Sequence, residues 1–209
     1  MRPVHYCSLI PIFLESICKN KNDGSDITLS TATGCLYKQN NCVYLVTNWH
    51  VLSGRHTETR KILSSCGVTP EFIRAHFSLD ANVTEHLIKD FAIKYQENTF
   101  HWLEHPLSSK VDVGVLKIEP PAEIATKYVN DLQNFKDNKN EEFFFVTQDV
   151  WVIGFPRGIR ISGLPIWKSA TIASEPFAST KNNMHKIILD TATREGINQC
   201  INHRTFRCI

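Results

Sequence analysis

Two side chains in this sequence have the type and the setting needed to move a proton. His50 lies in "CVYLVTNWHVL", where an apolar run from Val43 to Val46 ends in Thr47-Asn48-Trp49-His50 before Val51 and Leu52 resume it. An imidazole placed where a hydrophobic strand turns over is fixed by packing yet can face a cleft, as a general base must. Asp112 lies in "SSKVDVGVLKI", between two valines of another apolar run. Burying a carboxylate costs several kcal/mol unless it is paired or hydrogen-bonded, so an acid there calls for a partner, and an imidazole N–H is a good one. Each position also has a plainer reading. His50 fits a residue that caps a strand end, and Asp112 fits the wet side of an edge strand.

The elements that must position this pair read as mostly β. "TGCLY", "CVYLVTNWHVL", "VDVGVLKI", "DVWVIGF", "IWKSATIAS" and "HKIILDTA" are rich in β-branched and aromatic residues, and several alternate with period two. "KQNN" at 38–41 is a hairpin turn candidate, and "GFPRG" at 154–158 carries two glycines and a proline. Two helices are expected as interruptions. In "NVTEHLIKDFAIKY" the spacing of Val83, Leu87, Phe91 and Ile93 fits a helix, with a strand as the competing reading. In "PAEIATKYVNDLQNFK", Ile124, Tyr128, Leu132 and Phe135 fall one turn apart and predict a helix. The polar run "DNKNEE" then suggests a break between two β-lobes, placed at 1–135 and 143–209.

Taken together, the order and spacing resemble the chymotrypsin-like serine peptidases, in particular their bacterial HtrA-type branch. The segments that carry the likeness are Thr33-Gly34, Leu45 to Val51, Asp112 to Ile118, "VWVIGFPRG", "PIWKSATIAS" and "ILDTATREG", in that order across residues 28–196. The resemblance implies an all-β fold with minor helix, in which two six-stranded-type β-barrel lobes pack together and the second is incomplete at its C-terminal end. It implies trypsin-like serine endopeptidase chemistry, with a polypeptide as substrate. His50 would be the general base and Asp112 the group that orients it. Gly196 would supply flexible backbone to the oxyanion hole.

The pattern breaks at the nucleophile. Set against the Gly-x-Ser-Gly of that family, "REGINQC" puts Asn198 where serine is expected. An amide offers no hydroxyl for His50 to deprotonate, so the chain as written is expected to be inert as a peptidase. Cys200 is a nucleophile by type, but it stands two residues past the slot. A misplacement of ~1 Å already costs ~10²-fold, which argues against it. Beyond Gly196 the β texture gives way to "NQCINHRTFRC", read here as the product of a frameshift or premature stop. The alternative to a disabled enzyme is a non-catalytic module that binds extended peptides by strand addition.

Bulk properties exclude other classes. A net charge of +2 spread over scattered Lys and Arg offers no track for a phosphate backbone, so no nucleic-acid partner is expected. No membrane partner is expected either, because no window of 18 residues is uninterruptedly apolar. No cofactor or metal is expected. Cys200, His203 and Cys208 lack the paired spacing of a zinc site, and no H-E-x-x-H occurs among the nine histidines. Pro11 and Glu15 interrupt the apolar N-terminal run, which argues against a secretory signal. With that, the seven cysteines read as free thiols and the cytoplasm as the location.

Overall fold

The computed structural model describes residues 4–80, 85–96, 99–131, 144–176 and 187–191. The chain is mostly β, as its composition of runs predicts. In chain order the strands are β1 (Pro11–Lys19), β2 (Asp26–Gln39), β3 (Cys42–Thr47), β4 (Phe72–Ser78), β5 (His86–Ala92), β6 (Lys94–Gln96), β7 (Thr99–Phe100), β8 (Trp102–Glu104), β9 (Gly114–Ile118), β10 (Asp149–Gly154), β11 (Ile166–Ile172) and β12 (Leu189–Asp190). Among the described residues one α-helix, α1 (Trp49–Ser53), makes a single turn after β3. Seven strands form an antiparallel sheet in the order β5-β4-β1-β2-β3-β9-β8, three form a small sheet in the order β10-β11-β12, and β6 pairs with β7.

Local chemistry explains the main turns and runs. Asn40 and Asn41 both take positive φ, 48° and 62°, so the β2–β3 connection is the tight hairpin that "KQNN" suggested. In β1, Ile12, Phe13 and Leu14 are all buried in succession, the pattern of a strand covered on both faces. Ile12 and Leu14 face inward with Leu36, Leu45, Ile73, Phe77, Trp102 and Leu116 in one core cluster. Each such aliphatic side chain contributes roughly 1.5–3 kcal/mol on burial. Cys35 faces outward and joins Cys7 and Ile10 in a second cluster, against which Ile153 and Trp167 of the small sheet pack. The small sheet thus lies on the outer face of the large one, tied to the N-terminal segment by a Trp167 Nε1–H donated to Ser8 Oγ at 2.9 Å.

Core residues from strands near both ends of the seven-stranded sheet meet in the inner cluster, so the sheet curls on itself. Among the described residues it does not become a closed barrel. Its edges β5 and β8 are linked just beyond β5 and just before β8, where the His101 N–H donates to the Ile93 carbonyl at 3.2 Å.

The two expected helices are corrected by the structure. Residues 86–92 form β5, because Leu87 and Phe91 pair across from Phe77 and Ile73 of β4 and turn the same way as they do. Residues 121–128 are not helical, since their backbone donors are used elsewhere. Ala125 N–H donates to Ser78 O at 2.7 Å and Lys127 N–H to Leu9 O at 2.9 Å, while Tyr128 bridges Leu36. Ile124 and Tyr128 reach the core from this extended segment. Leu132, Phe135 and the 136–142 break lie outside the described residues. No described helix is long and apolar enough to cross a membrane.

Gly34 marks where three strands close on the core. A Cβ there would sit 2.7 Å from Leu14 Cδ1, 3.0 Å from Leu45 Cδ1 and 3.1 Å from the Val46 carbonyl oxygen. The last contact is backbone and cannot swing aside. Gly34→Ala is therefore expected to lower stability by about 1–3 kcal/mol, read as a lower midpoint in thermal unfolding followed by circular dichroism.

Candidate active site

Strand register brings the two candidate residues together. β3 and β9 run antiparallel with Thr47 opposite Gly114, so the chain leaving β3 and the chain entering β9 lie side by side. His50 follows Thr47 by three residues and Asp112 precedes Gly114 by two. Gly114 permits the close approach: a Cβ on it would fall 2.6 Å from Leu52 Cδ1 on α1. The structure places Asp112 just ahead of β9, not within a strand. It sits at the centre of a three-residue turn closed by Val113 N–H to Val111 O at 2.7 Å. Where the sequence suggested a resumed strand, Trp49 to Ser53 wind one helical turn. Gly54 ends that turn at φ 65°, in a space where a Cβ would meet Pro70 Cδ at 2.4 Å.

Asp112 is buried, with a side chain 7% exposed, and the structure satisfies it with three donors. Oδ1 accepts the backbone N–H of His50 at 2.9 Å. Oδ2 accepts from Asn48 Nδ2 at 3.1 Å and pairs with His50 Nδ1 at 2.7 Å. Asn48 Nδ2 also reaches the Asp112 carbonyl oxygen at 3.2 Å. An ionised carboxylate only accepts, so the proton of this pair resides on Nδ1 and the lone pair of a neutral ring on Nε2. The imidazole is 26% exposed, so the ring is not sealed off from solvent. An oriented imidazole backed by a carboxylate is equipped to take a proton from a hydroxyl and hand it on.

The surroundings fix α1 firmly. Trp49 Nε1–H donates to Glu104 Oε2 at 2.6 Å, and the Arg60 guanidinium lies 4.6 Å over the Trp49 ring. Arg60 Nη2–H donates to Ser108 Oγ at 2.8 Å, and Ser108 Oγ–H to Glu104 Oε2 at 3.0 Å, closing a circuit. Ser16 Oγ–H holds the Val51 carbonyl at 3.1 Å, and Thr47 Oγ1–H holds the Thr33 carbonyl at 2.9 Å. Ser109 Oγ–H donates to Thr57 O at 2.6 Å, which ties the segment leading to Asp112 to the loop after α1.

His50 and Asp112 are thus brought together, whereas Gly196, Asn198, Cys200, His203 and Cys208 lie outside the described residues. Among the described residues no group of three or more His, Cys, Asp or Glu side chains is placed to hold a metal ion. Sequence reasoning missed Asn48 as a partner of Asp112. Its signal was an amide two residues before the histidine, at a strand end where a short polar side chain has a backbone and a carboxylate within reach. No family model matches the chain, and no curated protein matches it.

Removing the acceptor should expose this arrangement. Asp112→Ala leaves the His50 backbone N–H and the ring Nδ1–H without their oxygens, and leaves the Asn48 amide only the residue 112 carbonyl. A loss of about 2–4 kcal/mol is expected in urea unfolding. The downfield proton resonance of the bonded Nδ1–H should disappear with it. Asn48→Ala should cost only about 1 kcal/mol and leave that resonance in place.

Proposed function

We propose that the chain is a relative of the trypsin-like serine endopeptidases that keeps the base and the orienting acid but is inert in peptide-bond hydrolysis. The observation that carries this reading is the double grip of His50 on Asp112, through its backbone N–H at 2.9 Å and its ring Nδ1 at 2.7 Å. That grip sets the Nε2 lone pair for proton transfer and gives the resulting imidazolium a carboxylate to lean on. In an active relative, Nε2 would take the serine proton as the hydroxyl attacks the peptide carbonyl, then return it to the leaving amine. Gly196 would help to present N–H groups to the oxyanion. Asn198 in the nucleophile slot breaks the sequence at its first step, and loss of the serine costs ~10⁶-fold in turnover.

Two further features support the family reading. The seven-stranded sheet curls until the chain just beyond β5 meets the chain just before β8, which suits a first lobe of that fold, and the small sheet after it is where a second lobe would begin. The five described cysteines are free thiols, in keeping with the cytoplasm as the proposed location.

A second reading, binding of extended peptides without cleavage, draws on a different observation. Among the described residues β10 and β12 are edges of the small sheet, and Trp151 on β10 is 48% exposed beside that edge. A peptide strand paired there would gain ladder hydrogen bonds and an aromatic contact.

Labelling with a fluorophosphonate probe separates a working enzyme from a disabled one. The chain is expected to remain unlabelled and to leave casein uncut above background. A double variant, Asn198→Ser with Gln199→Gly, carrying a family-like C-terminal extension is expected to label in a way that His50→Ala abolishes. Labelling of the unaltered chain would overturn the proposed inertness. Saturable binding of an unstructured peptide without labelling would select the second reading.

A further inference from the structure

The segment joining β10 to β11 does not form a free loop. Residues 154–163 run across the outer face of the large sheet and touch four strands in turn. At β2, the Phe155 N–H donates to Thr33 Oγ1 at 2.9 Å, and Gly154 and Gly158 lie so close that a Cβ on each would meet Thr33 Oγ1 at 2.8 Å and Thr31 Oγ1 at 3.2 Å. At β1, Phe155 stacks edge-on to Phe13 at 5.5 Å, and the Arg160 guanidinium lies 4.4 Å over the same ring. At β4, Arg160 Nη1 reaches His76 Nδ1 at 3.4 Å. At β5, Gly163 presses on His86, whose Nε2 would be 2.1 Å from a Cβ on that glycine.

The two ends of this strap differ in chemistry. The β2 end is held by a neutral amide, two threonines and two glycines. The far end is held by two imidazoles and a guanidinium. His76 is buried and its Nε2 pairs with Glu15 Oε2 of β1 at 2.8 Å, which leaves Nδ1 to accept from Arg160. Neither ring nitrogen of His86 has a hydrogen-bond partner among the described residues, although both are shielded from solvent. Among the described residues Asp80, just after β4, is the acid that acts on His86, and Arg160 and His76 oppose it. Arg74, on the same face of β4, is already engaged by Asp26 and Asp90.

We propose that residues 159–163 form an acid-released strap, docked on β4 and β5 at neutral pH and lifted when His86 takes up a proton. Arg160, held over the Phe13 ring and against His76 Nδ1, is the cation that stands beside His86 at this end of the strap. A proton on His86 places a cation with no acceptor in a shielded site beside Arg160. Burial already holds His86 below the ordinary histidine range; Arg160 and His76 push it the same way, and Asp80 works against them. The lifted state binds the proton at the ordinary value of about 6.5 and the docked state only lower, so docking is complete above that value and weakens as pH falls through it. Within that window His86 alone shifts the docked-to-lifted ratio by about tenfold per pH unit.

Proton NMR of the full chain at pH 7.5 and pH 5.0 tests the strap. At the higher pH, cross-relaxation is expected between Gly163 Hα and the His86 ring and between Arg160 Hδ and the Phe13 ring. Both contacts should fade at the lower pH, while the Phe155 amide, held by Thr33, keeps its protection from exchange. The double variant His76→Gln, His86→Asn should keep the Arg160–Phe13 contact at both pH values. Contacts that persist unchanged to pH 5.0 in the unaltered chain would overturn the proposal, and so would their loss in the double variant.

Discussion

A carboxylate without water needs donors, and the region around Asp112 is organised by that need. A buried acid at this position would cost several kcal/mol if it stood alone. Here the cost is offset by three N–H groups drawn from the same short stretch, Asn48 to His50. To deliver them, the chain must leave β3 opposite the start of β9, turn helically at once, and stop at Gly54. The tryptophan between Asn48 and His50 points the other way, into the core, and the Glu104–Ser108–Arg60 circuit clamps it there. The residues on either side of His50, Trp49 and Val51, are buried in the core, so the acid's donors are held from both flanks.

This explains how much could be seen in the sequence. A hydrophobic run ending in an amide and a histidine, and an acid flanked by valines, are both uneconomical choices unless they meet, so the pairing of His50 with Asp112 was legible. The Asn40-Asn41 turn was legible too, because two consecutive residues that tolerate positive φ have few other uses between β runs. The extended course of residues 121–128, where a helix was expected, was not recoverable. Ile124 and Tyr128 repeat at helical spacing, yet Ala125 and Lys127 give their N–H groups to distant carbonyls, and no local pattern records those partners. Asn48 shows the same limit in another form. Its side chain earns its role from a residue 64 positions away.

The large sheet is a shared wall. Neighbouring residues of β2 alternate between the two cores: Gly34 closes the inner one and Cys35 supports the outer one, with Thr31 and Thr33 receiving the strap. A slip of one residue in this strand would exchange the two sets, so both cores enforce its register together. Thr33 also accepts from Thr47 on its inner flank of the hairpin, one residue ahead of Asn48. The strap's neutral anchor and the acid–imidazole pair therefore hang from neighbouring points of one hairpin.

The meeting of Ile93 and His101 has a consequence for how this fold can vary. Because those two backbone positions are already a hydrogen bond apart, whatever chain joins them is a detour that begins and ends at the same place. Doubling the length of such a detour costs only about 0.6 kcal/mol in closure entropy. Growth, trimming or grafted sequence can be accommodated at that seam while the imidazole and its acid, on the far side of β9, stay undisturbed.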